Sequence, residues 1–353
     1  MAKTVFVGMS GGVDSSVAAQ LLVEQGYRVV GVYMKNWSQD LPGMKCPWAD
    51  DLADAKRVAV CLRIDFLIWD FEKEYREKVV EYMLAGFRAG RTPNPDIMCN
   101  QEIKFKLFYE KAMSHGADYI ATGHYARNVR GQLARAVDEN KDQTYFLYRI
   151  SDEALAHTLF PIGEMRKPEV KRLAAEKGLH NAYKKESMGV CFVGEVGMKD
   201  FLKEYIEVRP GEIREIETGR VLGMHEGAIF YTIGQRHGLY LDGVKGEVND
   251  GMPYYVVSKD VAENIVYVSR NLNDRHIWAE RLLITDEVWR DGAHSGGVRE
   301  VMVRLRHRAP LIPARYENGA IHFEEPVKRP AAGQSAVFYD GEICLGGGII
   351  TEG

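Results

Sequence analysis

Thr4-Val5-Phe6-Val7-Gly8-Met9-Ser10-Gly11-Gly12-Val13-Asp14-Ser15-Ser16 is the stretch whose reading decides the fold. Thr4 to Gly8 is β-branched and apolar enough for a buried parallel strand, and Val17 to Gln25 continues at helical spacing to a stop at Gly26. The order is strand, loop, helix. Gly11 and Gly12 let the backbone approach an anion with no Cβ in the way. Ser10, Ser15 and Ser16 offer hydroxyl donors, and the helix N-terminus adds N–H groups and the positive end of its dipole. Such a junction suits a pyrophosphate. A glycine turn that merely joins strand to helix is the plainer reading, and the flanking elements speak against it.

Two other glycine-rich phosphate motifs fail here. No lysine follows the glycines as a Walker A loop requires, and Gly-x-Gly-x-x-Gly is absent. Ser-Gly-Gly-Val-Asp-Ser resembles instead the PP-loop of the N-type ATP pyrophosphatases, which split ATP to AMP and pyrophosphate while adenylating an oxygen of a second substrate.

The first half of the chain alternates. Arg28 to Met34 reads as a second strand, Trp48 to Leu62 as an amphipathic helix, Asp65 to Phe71 as a third strand and Glu72 to Gly90 as a helix. Two prolines break the pattern at Arg91 to Asp96, Cys99 to His115 resumes it, and Asp118 to Gly123 is a further strand. This is a doubly wound α/β pattern, whose parallel sheet binds ligands beyond the carboxyl ends of its strands. That rule brings the glycine loop, Met34, the Asp96 loop and Gly123-His124 to one rim. From about Gly211 short β-like runs take over, including Ala228 to Ile233, Tyr254 to Ser258 and longer strands from Arg281 onward, with a Gly346-Gly347-Gly348 turn. The boundary falls near Val208 to Pro210, and two small β-modules follow.

The 353 residues are 46% hydrophobic and 27% charged, enough for a full core in two or three domains. The formal net charge of -4 excludes a generally basic nucleic-acid coat, so RNA contact must be local. No signal peptide and no long apolar span is visible, which makes the cytoplasm the expected compartment and excludes a membrane partner. Five scattered cysteines with no Cys-x-x-Cys pair argue against a disulfide framework and a zinc site, so no metal ligands are assigned.

The second chemical signal is Asn94-Pro95-Asp96-Ile97-Met98-Cys99-Asn100. Cys99 stands where a helix is expected to start, a position where the dipole lowers a thiol pKa. Asp96 either caps that helix or carries a proton beside the thiol. Cys191, in Gly189-Val190-Cys191-Phe192, is either a core cysteine or a second thiol that the fold brings to Cys99. Cys61 and Cys344 look inert, and loop-borne Cys46 is open. In Val301 to Arg308, period-two alternation expects Arg304, Arg306 and Arg308 to project together, as a phosphate-binding face or a solvated strand edge. Lys104 and Lys106 read as surface charge.

Taken together, Gly8 to Ser16, Met34-Lys35-Asn36-Trp37, Thr92 to Asn100, Thr122-Gly123-His124-Tyr125, Lys141 to Leu147, Gly189 to Phe192, Tyr231 to Arg236 and Gly333 to Ala336 resemble the tRNA-specific 2-thiouridylases along the whole chain. The resemblance implies three domains. These are a Rossmann-like PP-loop ATP pyrophosphatase domain over residues 1–208, a central β-rich domain over 209–272 and a C-terminal β-barrel that binds tRNA over 273–353. It implies sulfur transfer to carbon 2 of the wobble uridine, with ATP, Mg2+ and a persulfide sulfur as co-substrate. Gly8, Met9, Ser10, Gly11, Gly12, Val13, Asp14 and Ser15 would hold the ATP phosphates, and Met34 and Gly123 would frame the nucleotide. Asn94, Pro95 and Asp96 would meet the target base. Cys99 would be the nucleophile, Cys191 the persulfide carrier and Asp96 an acid or base. His124, Lys141, Asp142, Gln143, Arg306, His307 and Gln334 would contact tRNA. The implied partners are the anticodon stem-loops of lysine, glutamate and glutamine tRNAs, and a sulfur donor such as a cysteine desulfurase or a relay protein. The alternative is another PP-loop adenylating enzyme that uses nitrogen, a tRNA-lysidine synthetase or an amidotransferase-type synthetase, which needs no cysteine pair.

Overall fold

The computed structural model describes residues 2–40, 46–185, 197–241, 253–271, 273–274, 276–290 and 297–351. Its first sheet joins β1 (Thr4–Gly8), β2 (Arg28–Lys35), β3 (Asp65–Asp70) and β4 (Tyr119–Ala121). A hairpin, β5 (Ala126–Val129) and β6 (Gln132–Arg135), then leaves the layer before β7 (Thr158–Leu159) returns to it. The order β3-β2-β1-β4-β7 is parallel throughout. Alternation along β1 puts Phe6 into one core cluster and Val5 and Val7 into the other, so both faces are covered by helices as a parallel sheet requires. Since β2 and β4 flank β1, the strand order reverses there, and the crevice lies beyond the carboxyl ends of β1 and β4.

A four-stranded module follows, β8 (Gly211–Glu215), β9 (Val221–His225), β10 (Tyr255–Asp260) and β11 (Ile265–Ser269), in the order β10-β11-β8-β9. Ala228 to Ile233, expected as a strand segment, instead contains a 3-10 turn at Ala228–Phe230. The last module is a closed barrel of β12 (Trp278–Trp289), β13 (Val298–Arg304), β14 (Ile312–Glu317), β15 (Ala320–Lys328), β16 (Ser335–Asp340) and β17 (Ile343–Ile350), with β12 pairing β17 to shut the ring. Gly346-Gly347-Gly348 is no turn: it lies inside β17. A Cβ on Gly346 would meet Val288 O at 1.9 Å, and one on Gly347 would meet Ala336 O at 2.4 Å. The glycines therefore let β12 and β16 close in on β17, beside register shifts on both partners.

The hairpin β5–β6 extends the barrel sheet by pairing Ala134 with Ile343 of β17. The segment Lys141 to Ile150 then lies along the barrel. Tyr145 OH donates to Ser335 O at 3.0 Å, Thr144 Oγ1 meets Tyr339 OH at 3.1 Å, and Arg290 donates to the carbonyls of Leu147, Tyr148 and Ile150. Among the described residues no helix is long and apolar enough to cross a membrane.

Candidate active site

The glycine loop leaves β1 and enters the helix Val13–Glu24, as its sequence indicates. Gly12 is the N-cap and carries no capping side chain, so the loop is held from elsewhere. Ser15 Oγ and Ser16 Oγ donate to Gly12 O at 3.1 and 2.9 Å, and buried Asn181 donates to Gly11 O at 3.0 Å. Gly11 has φ +76°, and a Cβ there would meet Asp51 O at 2.3 Å. Across the crevice, a Cβ on Gly123 would meet Ser15 N at 2.5 Å. Only glycine lets the end of β4 seat itself against the start of that helix.

Asp14, in the first helical turn, is held by three hydrogen bonds from two donors. Lys167 Nζ lies 2.7 and 2.8 Å from its two carboxylate oxygens, and Tyr125 OH donates at 2.9 Å. Gln143 Oε1 accepts from Tyr125 N at 2.9 Å, which ties the Lys141 segment to the same cluster. Lys167 and Asn181 were not singled out from sequence; they lie more than 150 residues from the loop they hold, with no local pattern to mark them.

A cavity of about 350 Å³ opens on this rim. Gly8, Met9, Ser10, Asp14 and Ser15 line one side, with Met34 and Gly123 beside them. Asp96, Cys99, His124 and Gln143 are also in its lining. Gly11, Gly12 and Val13 are not among its lining residues. The cradle left by glycines, the apolar Met34 and the donors of the loop fit a nucleotide with its phosphates. Among the described residues no group of three or more His, Cys, Asp and Glu could hold a metal ion.

The loop Thr92 to Asn100 corrects two expectations. Asn94 is the N-cap, its Oδ1 accepting from Asp96 N at 3.1 Å and Ile97 N at 3.4 Å, so Asp96 is not the cap. Pro95 is buried at the first helical position, where its missing N–H costs nothing. Cys99 is then a full turn inside the helix rather than at its start, where the dipole acts weakly. From Cys99 to Leu107 the helix widens to π geometry, whose i to i+5 stacking places Lys104 on the side of Cys99. Lys104 lines the cavity and is no mere surface charge. Burial pushes the Asp96 carboxyl above the usual range, with the Lys104 ammonium pulling the other way. Burial also holds His124 well below the usual imidazole range, helped by Lys104. Its Nδ1 lies 2.8 Å from Thr122 Oγ1, so His124 is a neutral wall of the cavity.

Cys191 lies outside the described residues. Cys344 is buried in β17, its thiol pushed up to about 11 by burial. Cys46 is buried and lines the cavity, whereas Cys61 is exposed on the helix Trp48–Leu62.

The expected tRNA contacts separate. Asp142 is buried and spent on Arg304 at 2.7 Å, with Arg135 at 3.6 Å, so it cannot face RNA. Arg304 is buried with it, and β13 ends there, so the three arginines do not project together; Arg306 and Arg308 are exposed beyond the strand. His307 packs on Phe146 at 4.5 Å and is pushed down to about 4 by burial, so it brings no charge. Gln334 Nε2 donates to Thr92 O at 2.6 Å and anchors the Asn94 loop to the barrel. Lys141 is half-buried at the start of the seam.

How the cradle is built sets the class of protein: an enzyme with a HUP domain, here with two β-modules behind it. Residues 3–195 match the family model described as tRNA methyl transferase HUP domain, 199–270 the tRNA methyl transferase PRC-barrel domain and 279–350 the aminomethyltransferase beta-barrel domain. The chain is 48% identical to the tRNA-specific 2-thiouridylase MnmA of Idiomarina loihiensis, over 99% of this chain and 96% of that protein. The corresponding protein of Histophilus somni is 47% identical, covering 99% and 93%, and that of Lysinibacillus sphaericus 45%, covering 99% and 94%. The chain belongs to the tRNA-specific 2-thiouridylase family.

Proposed function

We propose that this enzyme uses ATP to activate the carbon 2 oxygen of a wobble uridine in tRNA and replaces that oxygen with sulfur from a protein persulfide. One observation carries the reading: the phosphate-type cradle and the Asp96–Cys99 pair line the same cavity. Residues 1–208 would form the catalytic domain, 209–272 the central domain and 273–353 the tRNA-binding barrel. The uracil oxygen is a poor leaving group. It attacks the α-phosphorus of ATP, pyrophosphate leaves, and the base becomes an ester of AMP. The loop Gly8 to Ser15 would hold the phosphates with magnesium, and the helix N-terminus would stabilise the charge that develops on them. Asn94 to Asp96 would meet the base, with Asp96 as the proton carrier.

The outer sulfur of a Cys191 persulfide then attacks carbon 2, and AMP leaves with the former oxygen. Cys99 thiolate attacks the inner sulfur, which frees the thiolated base and forms a Cys99–Cys191 disulfide. An external thiol reduces it. The persulfide would come from a cysteine desulfurase or a relay protein, and the substrates would be tRNAs for lysine, glutamate and glutamine. Membership of the thiouridylase family favours this reading over the nitrogen-using alternative.

Mass spectrometry of tRNA incubated with ATP, magnesium and a cysteine desulfurase with cysteine, which delivers sulfur already at the persulfide level, tests the reading: one oxygen-to-sulfur mass change should accompany each AMP. AMP release with no mass change sinks it. In the same assay Asp14→Ala should lower AMP formation by at least about 100-fold, the scale of losing one group that organises developing charge, and change tRNA affinity little. Equal losses in both would show that the loop only holds the fold.

Asp96 gives a pH signature. A carboxyl raised by burial ionises at higher pH than an exposed one, and removing a nearby cation raises it further. AMP formation should therefore show an inflection above the ordinary carboxylate range. That inflection should vanish in Asp96→Asn and move upward in Lys104→Met. A profile identical in all three proteins would remove Asp96 from proton transfer.

A further inference from the structure

A second cavity, of about 280 Å³, lies where the three modules meet. Thr92 enters it from the loop before Asn94, Thr232, Ser258 and Lys259 from the central module, and His276 and Arg329 from the barrel. Ile233, Val257, Leu282 and Ile350 form its apolar wall. Among the described lining residues there is no carboxylate, in a chain whose net charge is -4. The carboxylate of Asp274 accepts from His276 behind the lining, at 2.7 Å from Nδ1. Lys259 lines the cavity and its Nζ donates to Tyr231 O at 2.9 Å, while Arg329 NH2 reaches Trp278 O at 3.4 Å. Cations and hydroxyls that converge on a half-apolar pocket match a phosphate ester with its sugar, not a neutral or basic ligand.

The position of this pocket ties it to the first. Thr92 N donates to Ala332 O at 2.8 Å, and Gln334 grips Thr92 O from the same segment. A Cβ on Gly333 would stand 3.1 Å from the Thr92 backbone, so barrel and loop touch directly. Thr92 lines the second cavity and Asp96 the first. Four residues of chain span at most about 14 Å, so a nucleic-acid strand with one base in the first cavity has a backbone phosphate within reach of the second.

We infer that the second cavity binds a backbone phosphate of the RNA strand next to the base held in the first, through Lys259 and Arg329. This rests on the tRNA reading above and adds a strand-positioning site to it. Phosphate contacts set register rather than sequence, so the site would fix which nucleotide of a loop reaches Asp96.

The test uses the full chain and an unmodified tRNA transcript, with Kd measured from low to moderate salt for wild type, Lys259→Gln and Arg329→Gln. Each variant should bind more weakly and lose about one unit of the slope of log affinity against log salt. ATP binding by each variant, unchanged from wild type, shows that it is folded. Wild-type affinity and slope in both variants overturn the inference, and thiolation by wild type in the same tubes leaves the proposed function standing. A wild type that neither binds nor thiolates the transcript overturns both. Inorganic phosphate and AMP serve as probes of free anions: binding of either that the variants lose, with tRNA binding intact, assigns the pocket to a free anion and overturns the RNA site.

Discussion

Cys99→Ser is expected to abolish thiolation of tRNA while ATP binding survives, and Cys191→Ser should do the same. The reason is the division of labour inside one cavity. Cys99 is buried beside Asp96 and within the same lining as the Gly8 to Ser15 loop, and it does not form the cradle that Gly123 and Ser15 shape. Serine keeps the volume and removes the thiolate, so the sulfur step is lost and the nucleotide site is not. A single turnover of wild type without reductant should leave a Cys99–Cys191 bond, visible as a disulfide-linked peptide pair. Thiolation by either variant at near the wild-type rate would end the case for the pair as the sulfur-transfer machinery. Three other cysteines supply the control: Cys344 is sealed in β17, Cys61 is exposed away from the cavity, and Cys46 lines it. Only Cys46→Ser should touch the nucleotide step.

What was legible from sequence was what short-range chemistry encodes. The strand, glycine loop and helix from Thr4 to Glu24 follow from local pattern, and the parallel sheet rule alone brings Met34, Asp96 and Gly123 to one rim, where they line one cavity. The glycine at 123 shows why the rest was harder. Its need for a bare backbone arises only from Ser15, far away in the chain. Lys167 and Asn181 are invisible for the same reason. The π geometry from Cys99 to Leu107 defeats a reading at 3.6-residue period, which left Lys104 on the surface when it belongs in the cavity. Polar residues at the barrel seam differ in the other direction. Asp142 taken by resemblance points to tRNA, and Arg304 by alternation to a phosphate-binding or solvated strand face; together they are a buried pair, and a sequence pattern that counts single side chains cannot see the partner.

That pair carries the largest expected effect on stability. Asp142 is 1% exposed and Arg304 5%, and their bond of 2.7 Å joins the catalytic module to β13 of the barrel. Asp142 also accepts from Thr144 Oγ1 at 2.9 Å and Ala136 N at 3.3 Å, and the Arg304 guanidinium stacks 5.3 Å from the centre of the Tyr339 ring. Removing one partner of such a pair leaves the other charge dry, so Asp142→Ala should cost about 3–5 kcal/mol. Removing both is different, because two desolvation penalties go with one attraction. Asp142→Leu combined with Arg304→Met should recover the part of that loss that comes from the stranded Arg304 charge, in urea unfolding followed by tryptophan fluorescence, while Arg135, Thr144 and Ala136 still lose their acceptor. Additive losses in the double variant would mean that the charges do not act as a pair. The active site gives a second readout, since the segment from Asp142 to Thr144 also positions Gln143 against Tyr125, and Tyr125 against Asp14. Asp142→Ala should therefore weaken ATP turnover as well as stability, whereas the apolar double variant, with leucine packing in place of an empty site and no stranded charge, should retain more turnover than Asp142→Ala.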